Sequence, residues 1–354
     1  MEWILPERLS PSQGPTAVRF PFIRVPAGAG IASAVGIASR TGDCPGAVLI
    51  PMQIGATTWE TTEMTMGAND REWTRRRLLA AGAAGVGTLA MGGKAHAFSR
   101  REDLYAPFKM GLQSYSLRGY TRGGHPDVEK ALAVTKDLGV RFWEAYPAHI
   151  PTTTDPAQIA TMKHQLDAAG VSLIGYGVVG LGKNEKANRK YFDFAQAMGL
   201  RYLSASPEPG SFDVLDKLVE EYGIAVGIHN HGPEDRHYSK IAAIEKAIKD
   251  HHPKIGCCVD TGHFLRSHED PVHAVEVFGK RVFGVHLKDV KDAKEFTVLG
   301  QGDLRTVDLL RLLAQNHYDY CLAIEYEENP SNPAEDIRAC LADSRRAIAE
   351  ARKS

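Results

Sequence analysis

Three short apolar runs in the second half of the chain each end at a residue type that can hold a metal ion. Asp260 follows the run Ile-Gly-Cys-Cys-Val, His286 follows Arg-Val-Phe-Gly-Val, and Glu325 follows Cys-Leu-Ala-Ile. In a parallel barrel, the loops after the carboxyl ends of the strands carry the chemistry. An acid, an imidazole and a second acid at three such strand ends therefore indicate a catalytic site that holds a metal ion.

A fourth apolar run, shortly before these three, ends in two histidines. In Gly-Ile-His-Asn-His, strand alternation places His229 and His231 on the same side as Gly227, and the same rule places His286 with Gly284. Small residues below a ligand leave room for a site. Two imidazoles and two carboxylates suit one divalent ion of Mn, Co, Zn or Fe, whereas so much nitrogen argues against Mg or Ca. Alternation alone leaves open which of the two histidines, His229 or His231, is the ligand.

Glycines divide the chain after residue 109 into a repeated unit of strand and helix. Gly139, Gly170, Gly199 and Gly223 each follow an amphipathic helical pattern and precede a strand pattern, and glycine supplies the left-handed residue after a helix. The predicted strands cover residues 110–116, 140–145, 171–178, 200–205, 224–230, 254–260, 281–286 and 318–325. The predicted helices cover residues 127–138, 156–169, 185–198, 212–222, 239–250, 271–278, 303–316 and 333–352.

This alternation predicts the fold. Eight strands and eight helices over roughly 250 residues are typical of an α/β fold of the (β/α)8 TIM barrel class. No Gly-x-Gly-x-x-Gly follows the first strand, so the main sign of a doubly wound dinucleotide-binding fold is missing. In a barrel the four strand ends described above lie at one mouth.

Three motifs at these strand ends resemble the xylose-isomerase-like barrels, a family that includes sugar phosphate isomerases and epimerases, inosose dehydratase, dehydroshikimate dehydratase and the apurinic endonucleases. The motifs are Val-Asp-Thr-Gly-His, Val-His-Leu-Lys-Asp and Ile-Glu, and the resemblance covers residues 109–350. It implies contacts to substrate oxygen from His263 and Lys288. It also implies a divalent metal ion held by Asp260, His286 and Glu325.

The fifth strand departs from the family pattern. The family commonly ends this strand with a metal-binding Glu, where this chain has His229, Asn230 and His231. We predict that His229 replaces the Glu as a ligand and that His231 contacts the substrate. The family's epimerases use two glutamates on opposite faces of the substrate, and this chain keeps only Glu325 of that pair. Glu144, at the end of the second strand, is predicted to face the same mouth as a base or as an acceptor for a sugar hydroxyl, although a structural carboxylate fits the sequence equally well.

These residues predict a metal-dependent enzyme that acts on a keto-sugar or keto-polyol through an enediolate. A divalent ion polarises a carbonyl and its neighbouring hydroxyl while a base removes the adjacent proton. Glu325 is the leading base and Glu144 the next, and Lys288 and His263 donate hydrogen bonds to the developing oxygen charge. Isomerisation, epimerisation and elimination share this first step. The altered fifth strand favours β-elimination, as in a lyase or dehydratase.

Two other classes of function compete with this prediction. A catalytically inactive sugar-binding barrel stays open, because one family ligand has changed. An apurinic-type endonuclease would need more metal ligands and a basic face, and the net charge of the chain is −1. The sequence therefore predicts a small-molecule carbohydrate substrate and no nucleic-acid partner, and it permits a homo-oligomer.

The first hundred residues differ in composition from the rest. Residues 1–65 are rich in Gly, Ala, Pro, Ser and Thr without a sustained period, and we expect them to be disordered or not translated. Residues 66–97 combine Thr-Arg-Arg-Arg, a Gly/Ala-rich apolar run and Ala-His-Ala, which resembles a twin-arginine signal peptide. The run is too short for a stable membrane anchor. We predict a periplasmic or secreted protein whose barrel comprises residues 98–354, with its four cysteines as buried thiols.

Overall fold

The computed structural model describes residues 104–353. The segment predicted to be disordered or untranslated, residues 1–65, and the predicted signal peptide, residues 66–97, lie outside the described residues. Among residues 104–353, no helix combines the length and the apolar character needed to cross a membrane.

The strands of the described residues form one closed barrel and two hairpins. In chain order they are β1 (Lys109–Gln113), β2 (Thr121–Arg122), β3 (His125–Pro126), β4 (Phe142–Ala145), β5 (Ser172–Leu181), β6 (Tyr202–Pro207), β7 (Ala225–His229), β8 (Ile255–Asp260), β9 (Val282–Leu287), β10 (Asp289–Lys291), β11 (Glu295–Thr297) and β12 (Cys321–Ile324). The barrel closes in the order β1-β12-β9-β8-β7-β6-β5-β4, with all neighbours parallel. The predicted (β/α)8 TIM barrel is confirmed.

Helices connect the barrel strands on the outside. They are α1 (Val128–Asp137), α2 (Pro156–Ala169), α3 (Glu185–Met198), α4 (Phe212–Tyr222), α5 (Ile241–Ile248), α6 (Thr261–Arg266), α7 (Pro271–Phe278), α8 (Thr306–Gln315) and α9 (Ala334–Ala351). Gly170, Gly199 and Gly223 follow α2, α3 and α4 in the left-handed conformation, with φ of 70°, 78° and 68°. These three helices have the predicted boundaries, because the glycine ends each of them locally.

Two elements differ from the prediction near the mouth of the barrel. The first strand was expected to reach residue 116, but it ends at Gln113, whose side chain accepts a hydrogen bond from the backbone N–H of Tyr115 and starts a 3-10 helix. The segment after β8 was expected to be a loop, but it forms α6. Asp260 begins that helix by accepting a hydrogen bond from the backbone N–H of His263 at 2.8 Å.

The apolar core lies between the barrel and its helices, and a smaller cluster that includes Tyr202 and Phe283 fills the interior of the barrel. A Cβ at Gly284 would lie 2.8 Å from Cys258 Sγ and 2.9 Å from the Tyr202 ring. The sequence analysis expected Gly284 to leave space for the site above it. Protein side chains fill that space instead, as in the packed interior of a barrel. The cysteines of the described residues are free and buried.

Candidate metal centre

Four side chains from neighbouring strand ends meet at the C-terminal mouth of the barrel. The group, here called the four-residue cluster, consists of His229, Asp260, His286 and Glu325. Each residue offers one ligand atom, and these atoms lie within 4.8 Å of one another. His286 Nδ1 lies 2.9 Å from Glu325 Oε2, and His229 Nε2 lies 3.3 Å from Asp260 Oδ2. All four side chains are buried.

Strand register brings these residues to one level of the barrel. Asp260 of β8 is paired with His286 of β9, and Glu325 follows β12 with its backbone N–H 3.3 Å from the carbonyl oxygen of Leu287. His229 is the last residue of β7. Because Asp260 Oδ1 is engaged at the start of α6, Oδ2 is the oxygen that faces the cluster.

The cluster has the donor atoms of a metal site, and several of these atoms have no hydrogen-bond partner. Asp260 Oδ2, His286 Nδ1 and Glu325 Oε2 are buried without a hydrogen-bond partner. The Lys288 ammonium lies 3.0 Å from the two carboxylate oxygens, but it is not aligned to donate to them. Burial lowers the pKa of His229 to about 4, which keeps the imidazole neutral, as a ligand must be. Each unpartnered buried group costs about 1–3 kcal/mol, and a divalent cation would satisfy all three at once.

Glu144 is engaged by protein groups, which fits the structural-carboxylate alternative, and its role as a base or as an acceptor for a sugar hydroxyl stays a prediction. Its carboxylate is fully buried and accepts hydrogen bonds from four side chains: Gln113 Nε2 at 3.0 Å, His286 Nε2 at 2.8 Å, Tyr202 Oη and Ser204 Oγ. Burial alone would raise the pKa of Glu144, but His286 and the hydroxyl donors lower it. Both oxygens of Glu144 are therefore occupied by hydrogen bonds from the protein.

This arrangement decides how His286 faces the cluster. Burial alone would lower the pKa of His286, but Cys258, Glu144 and Glu325 raise it well above its usual value, so without a metal ion the ring is protonated. As a metal ligand the ring would be neutral, with its proton on Nε2 facing Glu144, which only accepts, and its lone pair on Nδ1, on the side of Glu325 and Asp260. A carboxylate behind a histidine ligand is the usual way in which proteins orient such a ligand. The sequence analysis left a structural role for Glu144 open but did not link it to His286, because 142 positions separate the two residues.

Lys288 and His263 border the cluster, and their contacts to substrate oxygen stay predictions. Lys288 is buried, and its ammonium contacts Asp260 and Glu325 at 3.0 Å and the carboxylate of Glu327 more closely. Burial alone would lower the pKa of Lys288, but these three carboxylates raise it well above its usual value. Burial, reinforced by Lys288, lowers the pKa of His263 to about 3, so its ring is neutral. One buried cation and one neutral imidazole therefore face the mouth.

The structure separates the two histidines that the sequence could not. His229 is buried within the cluster, whereas the side chain of His231 is 38% exposed and its ring centroid lies 5.7 Å from that of His263. His229 is therefore the one placed among the candidate ligands, and His231 lies at the rim. Their roles as ligand and as substrate contact stay predictions.

Three further residues of the mouth were missed. Glu327 has the same strand parity as Glu325, and Arg266 lies three positions after His263, so spacing could have indicated both. Phe296 reaches the site from the β10–β11 hairpin, and its ring centroid lies 5.7 Å from that of His263. No sequence pattern indicated this position. A Cβ at Gly262 would lie 3.1 Å from Phe296 and 2.7 Å from Lys288 Cβ, so the glycine of the Thr-Gly-His motif lets both side chains close over α6.

The fold and the cluster define a (β/α)8 barrel with a buried group of histidine and carboxylate side chains at the carboxyl ends of its strands. A family profile described as xylose isomerase-like TIM barrel matches residues 132–343, a range that includes all four cluster residues. The chain belongs to the xylose isomerase-like TIM barrel family, which confirms the resemblance drawn from the strand-end motifs.

Individual relatives agree with this family. An inosose dehydratase of Mesomycoplasma hyopneumoniae (strain J) is 25% identical over 225 residues, which are 51% of this chain and 75% of the relative. An inosose dehydratase of Clostridium tetani is 30% identical over 142 residues, which are 34% of this chain and 47% of the relative.

Solved structures extend the comparison. A crystal structure of an uncharacterized protein from Parabacteroides distasonis is 27% identical, with a TM-score of 0.52 over 66% of this chain and 97% of that one. A D-psicose 3-epimerase from Clostridium cellulolyticum H10 is 15% identical, with a TM-score of 0.52 over 68% of this chain and 99% of that one, and it shares the fold. The two relatives matched by sequence are thus named inosose dehydratases, and the epimerase shares the fold.

Proposed function

We propose that the chain is a divalent-metal-dependent enzyme that acts on a keto-sugar or keto-polyol. One ion of Mn, Co, Zn or Fe would be held by His229, Asp260, His286 and Glu325. The observation that supports this most is the set of three buried, unpartnered ligand atoms that converge from three strand ends. Two nitrogen and two oxygen donors match the preferences of these ions.

The neighbouring side chains suit proton removal next to a carbonyl. A bound divalent ion would polarise the carbonyl and the adjacent hydroxyl of the substrate. Burial alone would raise the pKa of Glu325, but Lys288 and His286 lower it, so the carboxylate stays ionised, as a metal ligand must be. Lys288 and His263 would donate to the oxygen on which charge develops as the enediolate forms.

The reaction that fits this set of groups best is β-elimination. An epimerase needs a second base on the opposite face of the substrate, and the residue at that strand end is His229, a candidate ligand. Glu144 does not supply the second base, because its carboxylate is engaged below the cluster. Elimination needs one base, Glu325, and a proton donor for the departing oxygen, a role open to His231 or His263. The similarity to inosose dehydratases supports the same choice.

Metal content and product structure test the proposal. The wild-type protein should bind one transition ion, and His286→Ala should lose it, whereas His273→Ala, which removes an exposed histidine on α7, should retain it. Full metal retention by His286→Ala would exclude His286 as a ligand.

Keto-sugars and keto-glycosides incubated with the enzyme in heavy water should lose water or an aglycone. An intact sugar with deuterium at an inverted or isomerised carbon would instead identify the protein as an epimerase or isomerase. A metal-loaded protein without turnover would favour the alternative, a catalytically inactive sugar-binding barrel.

We also propose export through the twin-arginine signal of residues 66–97, which supports a periplasmic or secreted location. Mass spectrometry of the protein recovered from the periplasm should find an N-terminus at or near Phe98. A mature protein that retains residues 66–97 would contradict export by this route.

A further inference from the structure

Arg266, at the end of α6, contacts three side chains at the rim of the mouth. Its Nη1 donates toward Nδ1 of His263 at 3.1 Å, with the N–H aligned on the ring nitrogen. Its two terminal nitrogens donate to the two carboxylate oxygens of Glu234, each at 3.2 Å. Its guanidinium carbon lies 5.5 Å from the centroid of the Phe296 ring. The guanidinium is thus held in one orientation, facing His263.

The other nitrogen of His263 also faces a cation. Nε2 lies 3.5 Å from the ammonium nitrogen of Lys288. Guanidinium and ammonium groups donate hydrogen bonds and cannot accept them, and a neutral imidazole carries a proton on one of its two nitrogens. Only one of the two contacts can therefore be a hydrogen bond to a lone pair of the His263 ring.

The contact with Arg266 is the stronger of the two. It is shorter, at 3.1 Å against 3.5 Å. The ammonium of Lys288 also donates to the carboxylate of Glu327, which lies closer to it than His263 does. A charged acceptor attracts the ammonium protons more strongly than a neutral ring nitrogen at the limit of hydrogen-bond distance. The lone pair of His263 therefore lies on Nδ1 and its proton on Nε2.

We infer that Arg266 is a positioning residue that holds His263 as the Nε2–H tautomer, so that His263 presents a hydrogen-bond donor to the mouth beside the four-residue cluster. The assignment of that donor to a substrate oxygen rests on the proposed function. An oxygen with lone pairs, such as a carbonyl or a departing hydroxyl, is recognised at this position, whereas a substrate group that only donates is not. Through Glu234, the loop after β7 takes part in setting this tautomer.

The tautomer can be measured directly in the full-length protein. With ¹⁵N-labelled histidine, long-range ¹H–¹⁵N correlation spectra distinguish protonated from unprotonated ring nitrogens. The signals of His263 are assigned by their loss in His263→Asn. We expect one Nε2–H form in the wild type. Arg266→Met keeps the apolar stem and removes the donors, and we expect it to show a mixture of both tautomers of His263. Arg338→Met removes an exposed arginine paired with Asp137 and serves as the control, for which we expect the wild-type spectrum.

Each outcome decides a separate part of the inference. An Nδ1–H form of His263 in the wild type overturns it, and this measurement stands even if Arg266→Met does not fold. A folded Arg266→Met with His263 still wholly Nε2–H overturns the role of Arg266. With a turned-over keto-sugar, Arg266→Met should lower kcat about 10-fold, the usual scale for losing a partner that orients a functional histidine, and should have no further effect in His263→Asn. If no sugar is turned over, the proposed function fails while the spectra still decide the tautomer.

Discussion

The two halves of the barrel mouth differ in how their buried polar atoms are satisfied. In the half formed by β7, β8, β9 and β12, Asp260 Oδ2, His286 Nδ1 and Glu325 Oε2 are buried without hydrogen-bond partners. In the half formed by β1, β4, β5 and β6, the carboxylate of Glu144 is equally buried but accepts from four side chains. Both halves carry an acid at a strand end, yet only the acids of the first half have a buried oxygen without a hydrogen-bond partner.

The difference teaches how a strand-end acid should be interpreted. Position at the carboxyl end of a strand places Glu144 and Glu325 equally well for chemistry. The donors around each carboxylate separate them, because an oxygen that already accepts hydrogen bonds from protein groups gains little from a metal ion or a substrate. Glu144 still influences the first half, through the hydrogen bond from His286.

The largest effect is expected from the acid of the unsatisfied half. Glu325→Gln keeps a carbonyl oxygen for the metal ion but accepts a proton poorly, so kcat should fall by a factor of about 100 to 10,000, the range typical of general-base loss. Steady-state kinetics on the metal-loaded variant, with circular dichroism to confirm the fold, measures this. Near-normal turnover would remove Glu325 as the base and, with it, the contrast between the two halves.

His149, in the second half, departs from the pattern, since its Nε2 is buried without a partner. Burial lowers its pKa from 6.5 to about 4. At pH values between about 4 and 6.5, His149 binds a proton in the unfolded chain but not in the folded protein. The free energy of unfolding therefore falls as the pH decreases from about 6.5 to about 4, by roughly 3 kcal/mol at most. Because Gln cannot titrate, His149→Gln should lose less stability over this window.

Urea unfolding at pH 7 and pH 4.5 measures the difference between the two proteins. His164→Gln, an exposed histidine on α2, is the matched control and should follow the wild type. An unchanged pH dependence in His149→Gln would mean that the folded protein carries a charged His149, with a partner for Nε2 in solution.

A smaller effect is expected from the acid of the satisfied half. Glu144→Gln removes the charge that orients His286, and metal affinity should fall about 10- to 100-fold. Competition with a chelator of known affinity measures this without any substrate. Tyr202→Phe, which removes one donor to Glu144 and leaves the pair with His286, should have a weaker effect. Unchanged affinity in Glu144→Gln would show that the two halves are independent.

Much of the fold could be predicted from local sequence. The helices ended by Gly170, Gly199 and Gly223 were predicted to the residue, because a left-handed glycine ends a helix through its own backbone. The positions of His229 and Asp260 at the ends of apolar runs likewise predicted that these two residues would reach the mouth. The 3-10 helix after Gln113 and the helix after Asp260 were missed, because each starts with a side-chain hydrogen bond to a nearby backbone N–H rather than with a periodic pattern.

The sequence by itself determined the barrel, its family and three strand-end residues of the cluster, Asp260, His286 and Glu325, since these follow from the period of apolar residues, from glycine positions and from short motifs. Only the tertiary structure decided that His229 is buried in the cluster while His231 stays at the rim, that Glu144 supports His286 from below, and that Arg266 faces His263. The physical reason is that the number of donors around a buried atom depends on contacts between distant parts of the chain. Glu144 and His286 are 142 positions apart, and no local pattern reports whether a carboxylate oxygen at a strand end meets water, a metal ion or four protein donors.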